Sequence, residues 1–164
     1  MKIEKNLNTI NENQFISLFG RIFEKSEWIA AETFKKKPFK NSQDLINKMI
    51  KIYESCSIDQ IIIILNLHPK LAIEKKLTSF STKEQTGAEL DKCSEEELAE
   101  FDRLNLNYEK KYKFPFIIAV KGKNKNEILE NFRNRINNDY KKEFQEAKQQ
   151  VMKIALFRLN EIFK

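Results

Sequence analysis

The sequence contains few of the residues that tight turns require. Only three glycines and three prolines occur in 164 residues. All-β folds with many turns and glycine-rich nucleotide loops both need backbone positions with positive φ, which glycine adopts most easily. The scarcity of both residues therefore disfavours these two classes and favours α-helices joined by short loops.

Cysteine is also scarce. Cys56 and Cys93 are the two cysteines, and they do not have the CxxC spacing of a zinc site or form the framework of a disulfide-rich domain. We predict that both are reduced thiols in a cytoplasmic protein. The sequence shows no signal-peptide pattern and no apolar run of the length that crosses a membrane, so no membrane association is predicted.

The composition is that of a globular protein with a basic surface. Hydrophobic residues make up 41% and charged residues 33%, and the length suits a single domain over residues 1–164. The net charge of +6 could attract nucleic acid, but the lysines are scattered among glutamates along most of the chain. Dense lysine clusters occur only at Lys35–Lys37 and Lys110–Lys113. We therefore favour a solvated lysine-rich surface over nucleic-acid binding.

Apolar residues recur at three- and four-residue spacing in most of the chain, which is typical of amphipathic helices. The prediction is an all-α fold, a single compact domain of about seven to nine helices with no sheet. The predicted helices are Asn11–Glu24, Trp28–Lys37, a third beginning at a Ser42 cap, Ser57–Leu67, Ser81–Leu90, Ser94–Lys113, Asn124–Asn138 and Asp139–Phe163.

Two apolar runs could be strands by propensity. For Ile61–Leu65, the capping-box pattern from Ser57 to Gln60 indicates a helix start, and a lone strand would lack backbone partners. We predict a buried helix there. Phe114–Val120 is too short and isolated to pair into a sheet, so we predict a buried, extended connector.

The only histidine, His68, follows the Ile61–Leu65 run and precedes Pro69, which blocks continuation of a helix. It is the obvious candidate for a side chain that titrates near neutral pH. The alternative is a structural histidine at a helix C-terminus, favoured there by the helix dipole. Ser81 and Glu84 likewise have a structural alternative, because their spacing is that of a capping box.

Arg158 interrupts the apolar face of the last predicted helix, four residues from both Ile154 and Ile162. A guanidinium on an apolar face needs an acidic partner, backbone carbonyls or a bound anion to offset its desolvation. The alternative is an arginine at the edge of this face, with its stem packed and its charged head in water.

A series of short motifs runs in order along almost the whole chain. The motifs are Phe15-x-x-x-Phe19-Gly20, Phe23-Glu24-x-Ser26-x-Trp28, Lys37-Pro38-Phe39, His68-Pro69-x-Leu71-Ala72, Ser81-x-x-Glu84-Gln85, Leu104-Asn105-x-x-Tyr108, Lys113-Phe114-Pro115-Phe116-Ile117-Ile118, Arg135-Ile136-x-Asn138 with Glu143, and Ile154-Ala155-x-x-Arg158-Leu159. No single motif is diagnostic, but their order and spacing together are specific. The series resembles one enzyme family, the decarboxylases of 2-oxo-4-hydroxy-4-carboxy-5-ureidoimidazoline (OHCU).

The resemblance implies an all-α, cofactor-free enzyme with no metal, typically a homodimer, that converts OHCU to (S)-allantoin in urate degradation. It implies that His68 is the proton donor and that Glu84 and Gln85 bind the ureidoimidazoline. We also predict that Glu84 is catalytic, because its carboxylate can hold His68 in its charged form. Pro69 and Ser81 complete this part of the predicted site.

The same resemblance implies two further substrate-binding elements. One is Arg158 in the final helix, with Arg135 as an alternative anion ligand. The other is a run of backbone groups that would contact the ring, contributed by Phe116, Ile117, Ile118, Ala119 and Val120.

The sequence departs from the family pattern most clearly at Lys70, where the family usually has aspartate. This reverses a charge two residues from the predicted proton donor. The family's Ala-Gly-Leu also becomes Ala88-Glu89-Leu90. Lys70 leaves open a catalytically silent helical binding or adaptor module, and the net charge of +6 leaves open a basic nucleic-acid binder.

Overall fold

The computed structural model describes residues 6–71, 88 and 90–164, apart from the side chain of Asp91. Within these ranges it contains seven α-helices, a short 3-10 helix at Leu90–Lys92 and no strand, which confirms the all-α prediction. The α-helices are α1 Glu12–Phe19, α2 Trp28–Phe34, α3 Ser42–Glu54, α4 Ile58–Asn66, α5 Glu95–Tyr112, α6 Lys125–Arg135 and α7 Tyr140–Ile162.

Capping boxes mark the starts of four of these helices. The Ser57 hydroxyl accepts from the Gln60 amide while the Gln60 side chain accepts from the Ser57 amide, and α5 begins in the same way at Ser94. Asn11 and Asn124 cap α1 and α6 with the same reciprocal bonds. The prediction of a helix at Ile61–Leu65 is therefore confirmed, because local bonds satisfy its first free amides.

Two details of α4 and α3 differ from prediction. Ile63 is 60% exposed, so α4 is amphipathic and is not buried on all sides. The cap of α3 is Asn41, whose side chain accepts from the Asp44 amide, and Ser42 is the first helical residue. An asparagine one residue upstream provides the same acceptor as serine, and spacing alone did not separate the two.

The first helix is shorter than predicted, ending at Phe19 instead of Glu24. The Ile22 amide donates to the Phe19 carbonyl, and Lys25 adopts a left-handed φ of 49°, so the chain turns instead of continuing as a helix. At Gly20 an added Cβ would lie 2.6 Å from the Ile16 carbonyl oxygen, so this close backbone approach requires glycine. The second helix also ends early, at Phe34.

The predicted helix Ser81–Leu90 lies almost entirely outside the described residues. Only Ala88 and Leu90 of that range are described, and both are buried. The predicted connector Phe114–Val120 is confirmed as a buried, non-helical segment. It follows Lys113, the α5 C-cap, whose φ is 64°, and it is followed by Gly122, whose φ is 77°.

The chain folds into two compact units. The first comprises the chain up to Leu67 together with Met152–Lys164. Its core is aromatic: the Phe15 ring packs against Phe19, Phe34 and Phe39, with centroid distances of 4.7, 5.6 and 5.8 Å. This packing buries the apolar faces of α1 and α2.

The second unit comprises His68–Val151. At its centre the Phe116 and Phe132 rings stack, with centroids 3.8 Å apart, and the Tyr108 ring packs edge-on against both. The connector, α5 and α6 therefore share one aromatic core. The assignment of residues 1–164 to a single domain stays a prediction.

None of the helices in the described ranges is long and apolar enough to span a membrane.

We predict that Ser94→Ala lowers the free energy of unfolding by about 1 kcal/mol, because it removes the side-chain acceptor at the start of α5. Urea denaturation followed by circular dichroism measures the change. Ser94→Asp is the matched control, since aspartate keeps an acceptor at the cap and should unfold close to the wild-type midpoint. An equal loss in both variants would contradict the capping explanation.

Candidate functional site

His68 lies just beyond α4, with one residue, Leu67, between it and the last helical residue, Asn66. The Leu67 amide donates to the Ile63 and Ile64 carbonyls and closes the helix. The His68 side chain is buried, at 8% exposed, and Pro69 follows it outside the helix. The helix end therefore delivers the only imidazole of the chain to a largely water-excluded position.

Lys70, the main departure from the family pattern, has an acidic partner. Its Nζ lies 2.8 Å from Glu109 Oε2 on α5, and both side chains are about one-third exposed. The lysine charge close to His68 is therefore offset locally by a carboxylate. Such half-exposed pairs contribute little to stability, but they do reduce the local field of the lysine.

The chain after His68 is also attached to α5. Asn105 Nδ2 donates to the Leu71 carbonyl at 3.2 Å, and both residues are buried. The Asn105 side-chain oxygen has no hydrogen-bond partner within the described ranges. This bond links a helix to the backbone three residues beyond the histidine.

Ser81, Glu84 and Gln85 lie outside the described residues. Their roles in catalysis and substrate binding therefore stay predictions.

The segment from Phe116 to Val120 is buried along its whole length. Two of its backbone groups are hydrogen-bonded to side chains. Arg135 Nη1 donates to the Ile117 carbonyl at 2.8 Å, and the Ala119 amide donates to Gln150 Oε1 at 2.8 Å. These two backbone groups are therefore already bonded within the protein, and a ligand would have to bind other backbone groups of the segment.

A buried carboxylate, Glu143, organises this part of the unit. Its Oε1 accepts from Arg135 Nε at 2.9 Å, from Arg135 Nη2 at 2.6 Å and from the Tyr108 hydroxyl. Its Oε2 accepts from Asn138 Nδ2 at 2.8 Å. A fully buried carboxylate needs a counter-charge and satisfied lone pairs, and this arrangement supplies both.

The guanidinium of Arg135 is fixed on three sides. Besides Glu143 and the Ile117 carbonyl, it stacks on the Phe116 ring, with its central carbon 4.4 Å from the centroid. Arg135 was the alternative anion ligand of the predicted site. A bound anion would have to compete with Glu143, because this carboxylate already provides the negative charge that Arg135 binds.

Burial, reinforced by the hydrogen bond to Glu143, raises the pKa of the Tyr108 hydroxyl far above its usual range. The neutral phenol is the form that donates to the carboxylate. At neutral pH this hydroxyl therefore serves as a hydrogen-bond donor.

Arg158 belongs to the first unit and is 2% exposed. Its Nη1 donates to Glu24 Oε2 at 3.2 Å and to the Arg21 and Ile22 carbonyls at 3.2 and 3.3 Å. The alternative with a charged head in water is therefore wrong. An acidic partner and backbone carbonyls offset the desolvation, as a guanidinium on an apolar face requires.

The predicted site residues fall in both units. His68, Pro69 and the segment from Phe116 to Val120 belong to the second unit, whereas Arg158 belongs to the first. Their assembly around one substrate stays a prediction. Within the described ranges, no group of three or more His, Cys, Asp or Glu side chains is placed to hold a metal ion.

Reasoning from sequence assigned no role to Gln150, Glu143 or Glu24. Glu143 and Glu24 both stand in the motif series, together with Arg135 and Arg158. A buried arginine needs an acidic partner, and this requirement could have paired each arginine with one of the two glutamates. Gln150 offered no such signal, because an amide on a long helix is usually exposed.

Comparison with known proteins identifies the family. Residues 8–160 match the family model described as OHCU decarboxylase. The chain belongs to the OHCU decarboxylase family. This match spans every described helix except the last residues of α7, so the resemblance found from the motifs is confirmed.

Proteins from other organisms are similar over almost the whole chain. A protein of Haloferax volcanii named 2-oxo-4-hydroxy-4-carboxy-5-ureidoimidazoline decarboxylase is 33% identical over 157 residues, covering 96% of this chain and 94% of that protein. A uric acid degradation bifunctional protein of Bacillus sp. (strain TB-90) is 38% identical over 160 residues. The chain covers 32% of the length of that relative, while 98% of the chain is aligned.

A solved structure of the same fold is that of (S)-allantoin synthase. It aligns with a TM-score of 0.79 at 27% identity, over 98% of this chain and 53% of that one. The helical fold is therefore shared with a protein of known structure.

We predict that Glu143→Gln destabilises the protein by about 3–5 kcal/mol, because it leaves the buried Arg135 charge without its partner. Chemical denaturation measures the loss. Glu100→Gln is the matched control: Glu100 accepts two bonds from Arg133, at 2.8 and 2.7 Å, but this pair is exposed, so about 0–1 kcal/mol is expected. Equal losses in the two variants would contradict the assigned importance of burial.

We predict a loss of stability above pH 10 that depends on Tyr108. In the unfolded chain the tyrosine hydroxyl ionises at its usual pKa of about 10, whereas the raised pKa of Tyr108 keeps it protonated in the folded protein. Its contribution is therefore complete below pH 10 and declines as the pH rises further. Denaturation midpoints of wild type and Tyr108→Phe from pH 8 to 11 test this, and parallel curves would contradict it.

Proposed function

We propose that this chain catalyses the cofactor-independent decarboxylation of OHCU to (S)-allantoin in urate degradation. The observation that carries the proposal is the family match over residues 8–160. The names of the similar proteins support it, since they include OHCU decarboxylase, uric acid degradation and (S)-allantoin synthase.

The reaction needs three things from the protein. When CO2 leaves, the electron pair of the broken bond passes into the adjacent C=N group of the ring. The protein must hold the carboxylate out of the ring plane, stabilise the developing charge and deliver a proton to one face. An enzyme that controls the protonated face makes one enantiomer, whereas spontaneous decay gives a racemic product.

His68 is the proposed proton donor. Imidazole suits this step because its ordinary pKa lies close to the working pH. The low exposure of His68 supports the role, since few water molecules would compete to protonate the opposite face. Glu84 and Gln85 are proposed to bind the ureido and ring groups, which present both donors and acceptors.

The segment from Phe116 to Val120 is proposed to contact the ring through its backbone. Because the Ile117 carbonyl and the Ala119 amide are already bonded to side chains, the contacts would use other groups of this segment. Arg158 is proposed to face the substrate's negative charge, with Glu24 fixing its orientation. Pro69 and Ser81 are proposed to line the site.

The silent adaptor alternative was based on Lys70, and its pairing with Glu109 weakens that basis, because the reversed charge is offset within the protein. Three of the six lysines in the two clusters have partners within the protein, which weakens the nucleic-acid alternative. Lys35 pairs with Glu32, Lys37 donates to the Ile10 carbonyl, and Lys111 donates to two backbone carbonyls just after α6.

A homodimer in the cytoplasm completes the proposal. Ile58 and Ile63 of α4 are 68% and 60% exposed, and apolar side chains of this kind are often covered by a partner subunit. Sedimentation equilibrium tests the dimer, and a monomer at micromolar concentration would contradict it.

We expect the wild-type protein to convert freshly generated OHCU into optically active allantoin, and His68→Asn to lower the rate by about 10²–10⁴-fold while the fold is retained. Circular dichroism follows both the product's handedness and the helical fold. Asn66→Ala is the control, since Asn66 is an exposed residue at the same helix end and donates only to the Ile62 carbonyl. A racemic product at the spontaneous rate from wild type would refute the proposed function. Full turnover by His68→Asn would refute only the proton donor.

A further inference from the structure

The segment from Phe116 to Val120 is held by two side chains. The Ile117 carbonyl accepts from Arg135, and the Ala119 amide donates to Gln150. Ile118 lies between the two residues that are held in this way. Its own amide and carbonyl are bonded to neither Arg135 nor Gln150.

The Ile118 backbone groups have no hydrogen-bond partner among the residues that the structure describes, although Ile118 is only 4% exposed. A buried backbone amide and carbonyl without partners cost free energy, so such groups in proteins are nearly always paired. A polar ligand with one donor and one acceptor, such as a ureido group or a cyclic amide, would satisfy both.

The Gln150 amide is itself fixed in orientation. Its Nε2 donates to Glu146 Oε1 at 2.7 Å, so its Oε1 is turned towards the Ala119 amide. The carboxylate of Glu146 can only accept in its ionised form, and a reversed Gln150 amide would lose both bonds. Glu146 and the Ala119 amide thus favour the same orientation, the one in which Gln150 presents an acceptor to the segment.

Arg135 is equally immobile, because Glu143 binds two of its nitrogens and the Phe116 ring lies beneath it. The Ile117 carbonyl and the Ala119 amide are therefore anchored to α6 and α7 by two side chains that have little freedom to move.

We propose that Arg135 and Gln150 are positioning residues that hold the segment at Ile117 and Ala119, so that the backbone amide and carbonyl of Ile118 between them bind the substrate. This inference rests on the proposed function. Neither residue needs to touch the substrate. Each acts through the backbone, and Gln150 is the better test, because removing Arg135 would also leave the charge of Glu143 buried and unpaired.

The test is a steady-state comparison of Gln150→Met, which has a similar volume and no acceptor, with the control Glu146→Gln. In the control, the new amide oxygen still accepts from Gln150 Nε2, so Oε1 stays on Ala119. We expect Gln150→Met to raise KM about 10-fold, the effect of about 1.4 kcal/mol, with kcat changed much less, because proton delivery by His68 is not altered. The control should keep the wild-type KM.

The double variant Glu146→Gln/Gln150→Glu provides a rescue. It reverses donor and acceptor between the two helix positions and keeps an oxygen facing the Ala119 amide, so its KM should return to near the wild-type value. A general structural defect at position 150 would not be rescued in this way. If Gln150→Met does not fold, Gln150→Asn, which withdraws the acceptor by one methylene, replaces it.

Each outcome decides the proposal. An unchanged KM in a folded Gln150→Met or Gln150→Asn variant would overturn it, as would a double variant with the same raised KM. If the wild-type protein shows no turnover, the proposed function and this inference are both wrong. If the wild type turns over but substitutions at position 150 leave KM unchanged, only this inference is wrong.

Discussion

The burial of one carboxylate, that of Glu143, determines much of the second unit. A charge with no exposure is tolerated only with a counter-charge and a full set of donors, and Arg135, Tyr108 and Asn138 provide them. These partners come from α5, from α6 and from the turn that follows α6. The same arginine also reaches the Ile117 carbonyl, so the packing of three helices and the position of the buried connector depend on one charge.

Most of the fold could be predicted because its signals are local. The capping box at Ser57 located the start of α4, and the helix predicted over Ser94–Lys113 is α5, which differs from it by one residue at each end. The end of α1 could not be predicted from spacing. Phe23 continues the helical spacing of the apolar residues, and it is buried as that spacing predicts. It lies in a turn instead of a helix, however, because tertiary packing fixes its position.

The site was predicted less completely, because its decisive contacts join residues that are far apart in sequence. The arginine at position 158 visibly required a partner, but no pattern selected Glu24, which lies 134 positions away. Motifs placed His68 near the end of a helix, and the structure agrees. The bond from the Ala119 amide to Gln150 depends on how α7 packs against the connector, and nothing in the local sequence encodes it.

The reciprocal caps have a consequence for how the chain folds. At Asn11, Ser57, Ser94 and Asn124, both partners of the cap lie within four consecutive residues. Such bonds need almost no loop closure, so they offset part of the unfavourable nucleation of a helix before any distant segment arrives. The helices they start can therefore form early, and the slower step of folding is the search that joins distant partners around buried charges.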